Sequence, residues 1–261
     1  MSQNDKKKRM TAKILDNRQI ATNIYEMVLH NDEITRATMP GQFINLYCRN
    51  ESKLLPRPIS VCETDHNEGT MKLVYAVVGA GTKEFIELQS GETIDILGPL
   101  GNGYDVNQPV KEHIIIGGGL GIPPLLELTK RLRGKKKIVL GFRDKLFLVN
   151  EFKRYADELY ISTTDGSVGE QGNVIDLLNR NDITGDMFYS CGSKRMLKAV
   201  HQWSIHHQIE GQISLEERMG CSFGACVGCV AKIKRQGKQW EYKKVCTEGP
   251  IFFNKEVVFD V

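Results

Sequence analysis

The chain has 261 residues, with 35 Lys and Arg against 32 Asp and Glu, a formal charge of +3, and 41% hydrophobic and 26% charged residues. Those values exclude a disordered, collagenous or low-complexity chain, and the weak positive balance is not the footprint of a nucleic-acid-binding protein. At about 150 residues per domain, the length calls for one large domain or two to three small ones, with core enough to fold without disulfides.

Residues 1–10 carry Lys6, Lys7, Lys8 and Arg9 but no apolar run. They read as a solvated basic tail, not a secretory signal. From 11 to 108 the pattern is one of strands. Runs rich in Val, Ile, Tyr and Phe fall at 24–29, 43–48, 59–61, 71–78 and 93–97, punctuated at Pro40-Gly41, Gly69, Gly79, Gly81, Gly91 and Gly98-Pro99. Short strands with regular turn signals predict an all-β barrel or sandwich.

The rhythm changes near Pro109. Ile114-Ile115-Ile116 is continuously apolar, as a strand buried on both faces should be. A glycine-rich turn and Pro123-Pro124 follow, then a predicted helix over 125–132; proline suits the first turn of a helix. Strands are expected at 138–142, 159–163 and 187–191, alternating with helices at 151–155, 174–178 and from Ser193 to about 207. That alternation predicts a parallel α/β sheet. A strand at 212–215 then leads into a cysteine-rich end too short for a core of its own, so metal is expected to hold it. The expected plan is a tail (1–10), a β-barrel (11–108), an α/β parallel-sheet domain (109–210) and a small cysteine-rich C-terminal module (211–261). The most apolar stretch, 114–126, contains four glycines and two prolines. It falls short of the roughly 20 residues of a membrane helix. The expected location is the cytoplasm, with no membrane and no nucleic-acid partner.

Four of the seven cysteines crowd into the last part of the chain. Cys221, Cys226, Cys229 and Cys246 have the C-x4-C-x2-C…C spacing of a plant-type [2Fe–2S] site. Gly220, Gly224 and Gly228 let backbone amides approach the sulfurs, and Phe223 can shield them from water. Structural zinc and free thiols are the alternatives; zinc ribbons usually pair two short knuckles, and only Cys226/Cys229 forms one here.

Gly117-Gly118-Gly119-Leu120-Gly121 lies between a predicted strand and a predicted helix but does not match G-x-G-x-x-G. Its context is that of a phosphate site, or of a merely tight turn. The next strand ends in Arg143-Asp144. An acidic residue there suits the ribose 2′-hydroxyl of NAD and an arginine the 2′-phosphate of NADP, so the choice stays open. Cys48 and Cys62 lie in predicted strands and read as core, and Cys191 as core or as a nucleotide-site residue.

Arg57-Pro58-Ile59-Ser60 resembles the flavin motif of the ferredoxin–NADP reductase superfamily. Gly98-Pro99-Leu100-Gly101-Asn102-Gly103, the turn at Gly117, Thr164-Asp165-Gly166-Ser167 and Cys191-Gly192 follow in that superfamily's order. With the four cysteines added, the chain is closely similar to the electron-transfer subunits of class 1B dihydroorotate dehydrogenases. The resemblance implies FAD on the barrel, held by Arg57, Pro58, Ile59, Ser60, Val74, Tyr75, Ala76, Gly81 and Thr82. Arg57 would meet the pyrophosphate and Ser60 the flavin N5. Ile59 stands where many relatives have Tyr, and Ala76 where close relatives have Arg. The resemblance also implies NAD(H) at Gly118, Gly119, Gly121, Asp144 and Cys191, with Cys191 beside the nicotinamide, and [2Fe–2S] on Cys221, Cys226, Cys229 and Cys246. The implied partner is an FMN-containing catalytic dihydroorotate dehydrogenase subunit in a heterotetramer of two plus two. The implied role is electron transfer between that partner and NAD in pyrimidine (UMP) biosynthesis. A related NAD(P)H:acceptor reductase subunit, such as a sulfhydrogenase or transhydrogenase subunit, is the neighbouring reading. A zinc-containing scaffold is the reading from a different class.

Overall fold

The computed structural model describes residues 8–235 and 238–259. Its first part is a closed antiparallel barrel of β1 (Lys8–Ala21), β2 (Ile24–His30), β3 (Phe43–Leu46), β4 (Arg57–Asp65), β5 (Thr70–Ala76) and β6 (Thr93–Leu100). The strands follow one another round the barrel as β1-β2-β5-β4-β3-β6. Closure removes the unpaired edges that an open sheet would present. Alternate side chains fill the interior, among them Ala12, Ile14, Met27, Leu29, Leu73 and Ile96, all fully buried. Two short helices, α1 (Asp32–Ala37) and α2 (Ala80–Phe85), cross between strands. Asn31 caps α1 by accepting from the Ile34 N–H at 3.0 Å.

Residues 1–7 of the expected tail lie outside the described residues. Residues 8–10 do not belong to a tail, because Lys8, Arg9 and Met10 pair with Gly98, Leu97 and Ile96 of β6. The strand β1 escaped the sequence reading because charged residues dilute its alternation. Arg9 reaches Asp95 at 3.2 Å and lies over the Tyr47 ring, so its charge is partnered across the barrel wall.

The second part contains β7 (Glu112–Gly118), α3 (Pro124–Arg131), β8 (Lys135–Phe142), α4 (Val149–Lys153), β9 (Glu158–Thr163), β10 (Glu170–Gln171), α5 (Val174–Arg180), β11 (Met187–Cys191), α6 (Lys194–His207) and β12 (Glu210–Ser214). The remainder is a hairpin of β13 (Val230–Arg235) and β14 (Lys238–Lys244), then α7 (Val245–Glu248) and β15 (Ile251–Phe253). The sheet runs β10-β9-β8-β7-β11-β12-β15. Its pairs are parallel except for the last, where β15 runs antiparallel to β12. Strand order reverses at β7, so a crevice opens where β7 and β11 end side by side.

Two expectations change here. Strand β12, expected at the start of a separate module, is the sixth strand of the sheet, and β15 is the seventh. The C-terminal residues also do not rely on metal alone for a core. Cys229, Ile233, Val245, Cys246, Phe252 and Val257 join Leu197, Val200 and Trp203 of α6 in one apolar cluster.

A buried carboxylate joins the two halves. Glu127 of α3, 1% exposed, accepts from the Thr64 N–H of β4 at 2.9 Å and from Arg131 Nε at 2.6 Å. Lys130 Nζ donates to the Thr64 carbonyl at 2.8 Å. The strand that begins with Arg57 and the helix that follows the glycine turn are thereby held in register.

Candidate functional site

Strand β4 opens with Arg57-Pro58-Ile59-Ser60, half-buried and laid against β3: Ser60 faces Phe43, Ile59 faces Ile44, Pro58 faces Asn45 and Arg57 faces Leu46. The Arg57 side chain lies over Gly81, where a Cβ would come within 2.2 Å of its Nε. Only glycine leaves the guanidinium that space. Arg57 Nη1 turns back to the Leu55 carbonyl. The Thr82 hydroxyl accepts from the Val78 and Gly79 N–H groups at 3.0 and 3.3 Å, closing the loop before α2 beside Arg57. A guanidinium fork beside this loop fits a pyrophosphate, which it can bind through two parallel hydrogen bonds.

The remaining barrel candidates divide by strand alternation. Ala76 ends β5 opposite Ile24. Val74 is buried with Ile122 and Leu125, behind the glycine turn of the second half. Tyr75 points the other way, into the barrel core. Its ring packs edge-on to Phe85, its hydroxyl donates to Asn17 Oδ1 at 3.1 Å, and burial pushes the phenol up. The structure brings Arg57 against Gly81 beside Thr82, while Tyr75 packs on Phe85 at the other end of the same helix.

The glycine turn sits at the carboxyl end of β7. Gly119 has φ +53° and open space where a side chain would stand. Gly121 abuts the end of β11, where a Cβ would lie 2.3 Å from the Cys191 carbonyl carbon. Gly118 and Gly119 line a cleft of about 680 Å³ with Arg143, Asn173, Asp176, Ser193 and Arg195. Cys191 ends β11 at the rim of this region. Burial, against a hydrogen bond from Ser214, pushes its thiol up to about 12, so it is neutral at physiological pH. Asp144 is exposed next to Arg143, and its carboxylate accepts from the Lys145 N–H at 2.7 Å. Arg195, in the first turn of α6, went unnoticed in the sequence; its signal was its place just after Cys191-Gly192-Ser193.

The four cysteines fall into two pairs. Cys221 Sγ accepts from the Cys226 N–H at 3.3 Å. Burial raises the Cys221 thiol pKa, but backbone N–H groups of Cys226, Phe223 and Gly224 outweigh it and pull the thiol down to about 6. Cys229 and Cys246 form the second pair. Burial, then the hydrogen bond with Cys229, pushes Cys246 up to about 12, and Cys221 lies near enough to add to the effect. Among the described residues no three His, Cys, Asp or Glu converge on a point fit for a single metal ion. Two neighbouring thiol pairs, one of them already facing N–H donors, fit a two-iron sulfide core that the four thiolates would hold.

Two asparagines fasten this cluster to the barrel, and neither was read from the sequence as a site residue. Asn45 of β3 donates from Nδ2 to the Cys221 carbonyl at 3.2 Å. Asn102, just after β6, donates to the Ile251 carbonyl at 2.7 Å and the Glu248 carbonyl at 3.2 Å, and accepts from the Ile251 N–H at 2.9 Å. Gly101 beside it has φ +73°, and a Cβ there would stand 2.6 Å from Pro250 Cδ. Asn45 could have been noticed as the one polar residue between Ile44 and Leu46. Asn102 lies in the Gly98–Gly103 stretch, which carried a resemblance but no role.

Residues 11–104 match a family model described as the oxidoreductase FAD-binding domain. Residues 216–258 match the iron–sulfur cluster binding domain of dihydroorotate dehydrogenase B. Over 261 residues the chain is 42% identical to the "Dihydroorotate dehydrogenase B (NAD(+)), electron transfer subunit" of Geobacillus sp. (strain WCH70), covering 97% of this chain and 99% of that protein. It is 41% identical to the protein of the same name from Fusobacterium nucleatum, covering 93% and 95%. Among solved structures, a chain of an NADH-dependent reduced ferredoxin–NADP oxidoreductase superposes with TM-score 0.84 at 29% identity, covering 95% of this chain and 89% of its own. A ferredoxin NADP+ reductase from Neisseria gonorrhoeae shares the fold, with TM-score 0.64 at 19% identity over 76% of this chain and 91% of its own.

Proposed function

The chain belongs to the family of dihydroorotate dehydrogenase B (NAD+) electron transfer subunits, and from that premise we propose how its residues divide the work. It is an NAD-linked flavin and iron–sulfur oxidoreductase subunit that moves electrons between NAD(H) and a catalytic dihydroorotate dehydrogenase partner. When bound, FAD exchanges a hydride with the nicotinamide and the [2Fe–2S] cluster passes electrons singly.

Arg57 binds the FAD pyrophosphate through its fork, with Gly81 keeping that space clear. Ser60 presents its hydroxyl to the flavin from the same strand. Gly118, Gly119 and Arg195 line the wall on which the dinucleotide lies, and Glu127 keeps that wall aligned with the flavin strand through Thr64. Cys191 offers a neutral thiol beside the nicotinamide and carries no proton away at neutral pH. Cys221, Cys226, Cys229 and Cys246 hold the cluster. The partner carries FMN and oxidises dihydroorotate, in a cytoplasmic complex of two subunits of each kind. Among the described residues no helix is long and apolar enough to cross a membrane.

The observation that carries this reading is the bond from Asn45 to the Cys221 carbonyl, because Asn45 faces Pro58 of the flavin strand. The cysteine loop is thereby fastened to the strand that would hold the flavin. Purification with the native partner, followed by an assay of orotate-dependent NADH oxidation, tests it. Flavin and cluster absorbance with orotate turnover is the expected result. Colour without orotate turnover would favour a reductase for another acceptor, the reading that the 29% identical NADH-dependent oxidoreductase supports. A colourless protein with zinc would overturn both.

The proposed nucleotide is NAD(H). Asp144 beside Arg143, and Asp176 in the cleft, oppose a 2′-phosphate that Arg143 and Arg195 would otherwise attract. Comparing kcat/KM for NADH and NADPH in a dye-reduction assay decides it, and a preference for NADPH overturns it.

A further inference from the structure

Asn45 is fully buried in the wall of the barrel. Its neighbours along the strand, Ile44 and Leu46, are also fully buried. A polar side chain in such a place must find a partner or forfeit its hydration. Among the described residues only half of it does so: Nδ2 meets the Cys221 carbonyl, while Oδ1 has no partner.

The peptide it holds is unusual. Its carbonyl belongs to Cys221, and its N–H belongs to Ser222, which sits at φ +65°, a conformation that costs a non-glycine residue about 1 kcal/mol or more. The Ser222 hydroxyl is buried and, among the described residues, also lacks a partner. This left-handed turn sends the chain round so that the N–H groups of Phe223, Gly224 and Cys226 face the Cys221 sulfur. Releasing the Cys221 carbonyl would let the peptide rotate and the three donors drift. Elsewhere the module is fixed independently, through the Asn102 bonds and the pairing of β15 with β12.

We infer that Asn45 is a positioning residue for electron transfer: it locks the Cys221–Ser222 peptide, aims backbone N–H donors at the Cys221 sulfur, and sets that side of the cluster against the flavin strand. The inference rests on the reading of the cysteines as a [2Fe–2S] site and of β4 as the flavin strand. Hydrogen bonds to a cluster's sulfurs favour its reduced form, so loosening them lowers its potential. Asn45 thus supports both the driving force and the placement of the step from flavin to cluster.

The test uses the full chain with its native partner, as wild type, Asn45→Leu and Asn45→Asp. Leucine approximates the shape without a donor, and aspartate keeps the shape but sets an acceptor against the Cys221 carbonyl. Iron and FAD content, the electron paramagnetic resonance spectrum of the reduced cluster, its midpoint potential, and cluster bleaching after anaerobic mixing with NADH are measured together. The expected result is unchanged FAD content and NADH–dye activity with an altered resonance spectrum. The cluster should be about tenfold harder to reduce, which for a one-electron couple is a potential lower by about 60 mV. Loss of iron with FAD retained also supports the inference, since it places the lock at the cysteine loop. Spectrum, potential and bleaching rate all matching wild type would overturn it. So would parallel loss of FAD and iron in both variants, which would make Asn45 a general fold residue. A wild-type protein without flavin or cluster would instead overturn the functional reading beneath it.

Discussion

The barrel and the cysteine-bearing end of the chain reach definite geometry by opposite routes. The barrel closes on itself and fills with its own side chains, fifteen buried residues in one cluster. Among the described residues, the cysteine-bearing end has a two-stranded hairpin and no enclosed core. Its apolar residues go into the core of the α/β sheet, its last strand extends that sheet, and its loops are tied to the barrel by Asn45 and Asn102. A self-contained barrel can keep a cofactor through local damage, whereas the borrowed geometry of the cysteine loops depends on each tie.

The sharpest way to break that comparison is Cys226→Ser. It should abolish cluster assembly and electron delivery to the partner while FAD and NADH–dye activity persist. Iron and flavin assayed on one sample decide the matter, and joint loss would show that the barrel is not independent.

Arg57→Ala attacks the barrel side. Loss of a charge-assisted contact of about 1.5–3 kcal/mol should weaken FAD roughly ten- to hundredfold in Kd. Titration of the apoprotein with FAD reads this directly, and the cluster content should not change. An unaltered Kd would make Arg57 an ordinary surface residue.

Asn102→Ala should be milder and fall on the other side. It removes hydrogen bonds to the Glu248 and Ile251 backbone, which together cost about 1–2 kcal/mol once water replaces them in part. Amide hydrogen exchange should speed up over 245–253 and stay unchanged over β2 and β5. Equal acceleration in the barrel strands would contradict the asymmetry.

The smallest expected effect is of pH. His113 of β7 is 2% exposed, and burial lowers its pKa below the ordinary histidine value of 6.5, against the hydrogen bond to the Arg133 carbonyl. The unfolded chain therefore takes up a proton that the folded chain resists. The stability this contributes is complete above about pH 6.5 and declines as pH falls from there through the folded value. Acid should loosen the sheet that carries the cysteine end before the barrel. His113→Gln should flatten that dependence in a series of melts between pH 5 and 7, each pH about a unit apart, and an unchanged slope would assign it to another group.

Much was legible in local pattern. The cysteine spacing is legible because three of the four candidate ligands, Cys221, Cys226 and Cys229, lie in one short stretch. Strands β2, β5 and β6 and helix α6 announced themselves through alternation, helical spacing and the Ser193 cap, whose hydroxyl accepts from the Met196 N–H. A change near Pro109 from runs of strands to alternating strands and helices separates a β half from an α/β half. These are short-range signals, written within about two turns or one strand.

Tertiary structure decided what depended on residues far apart. It placed β12, legible as a strand, in the sheet rather than in a separate module, and it made β15 a strand at all, since three residues have no pattern of their own until a neighbour pairs with them. It turned Tyr75 into the barrel core because Asn17, 58 positions away, offers its hydroxyl a partner there. It also joined Asn45 to Cys221 across 176 positions. A contact of that reach leaves only a lone polar residue in an apolar strand as its trace in the sequence, because burial supplies the reason for the bond and only the folded chain supplies the burial.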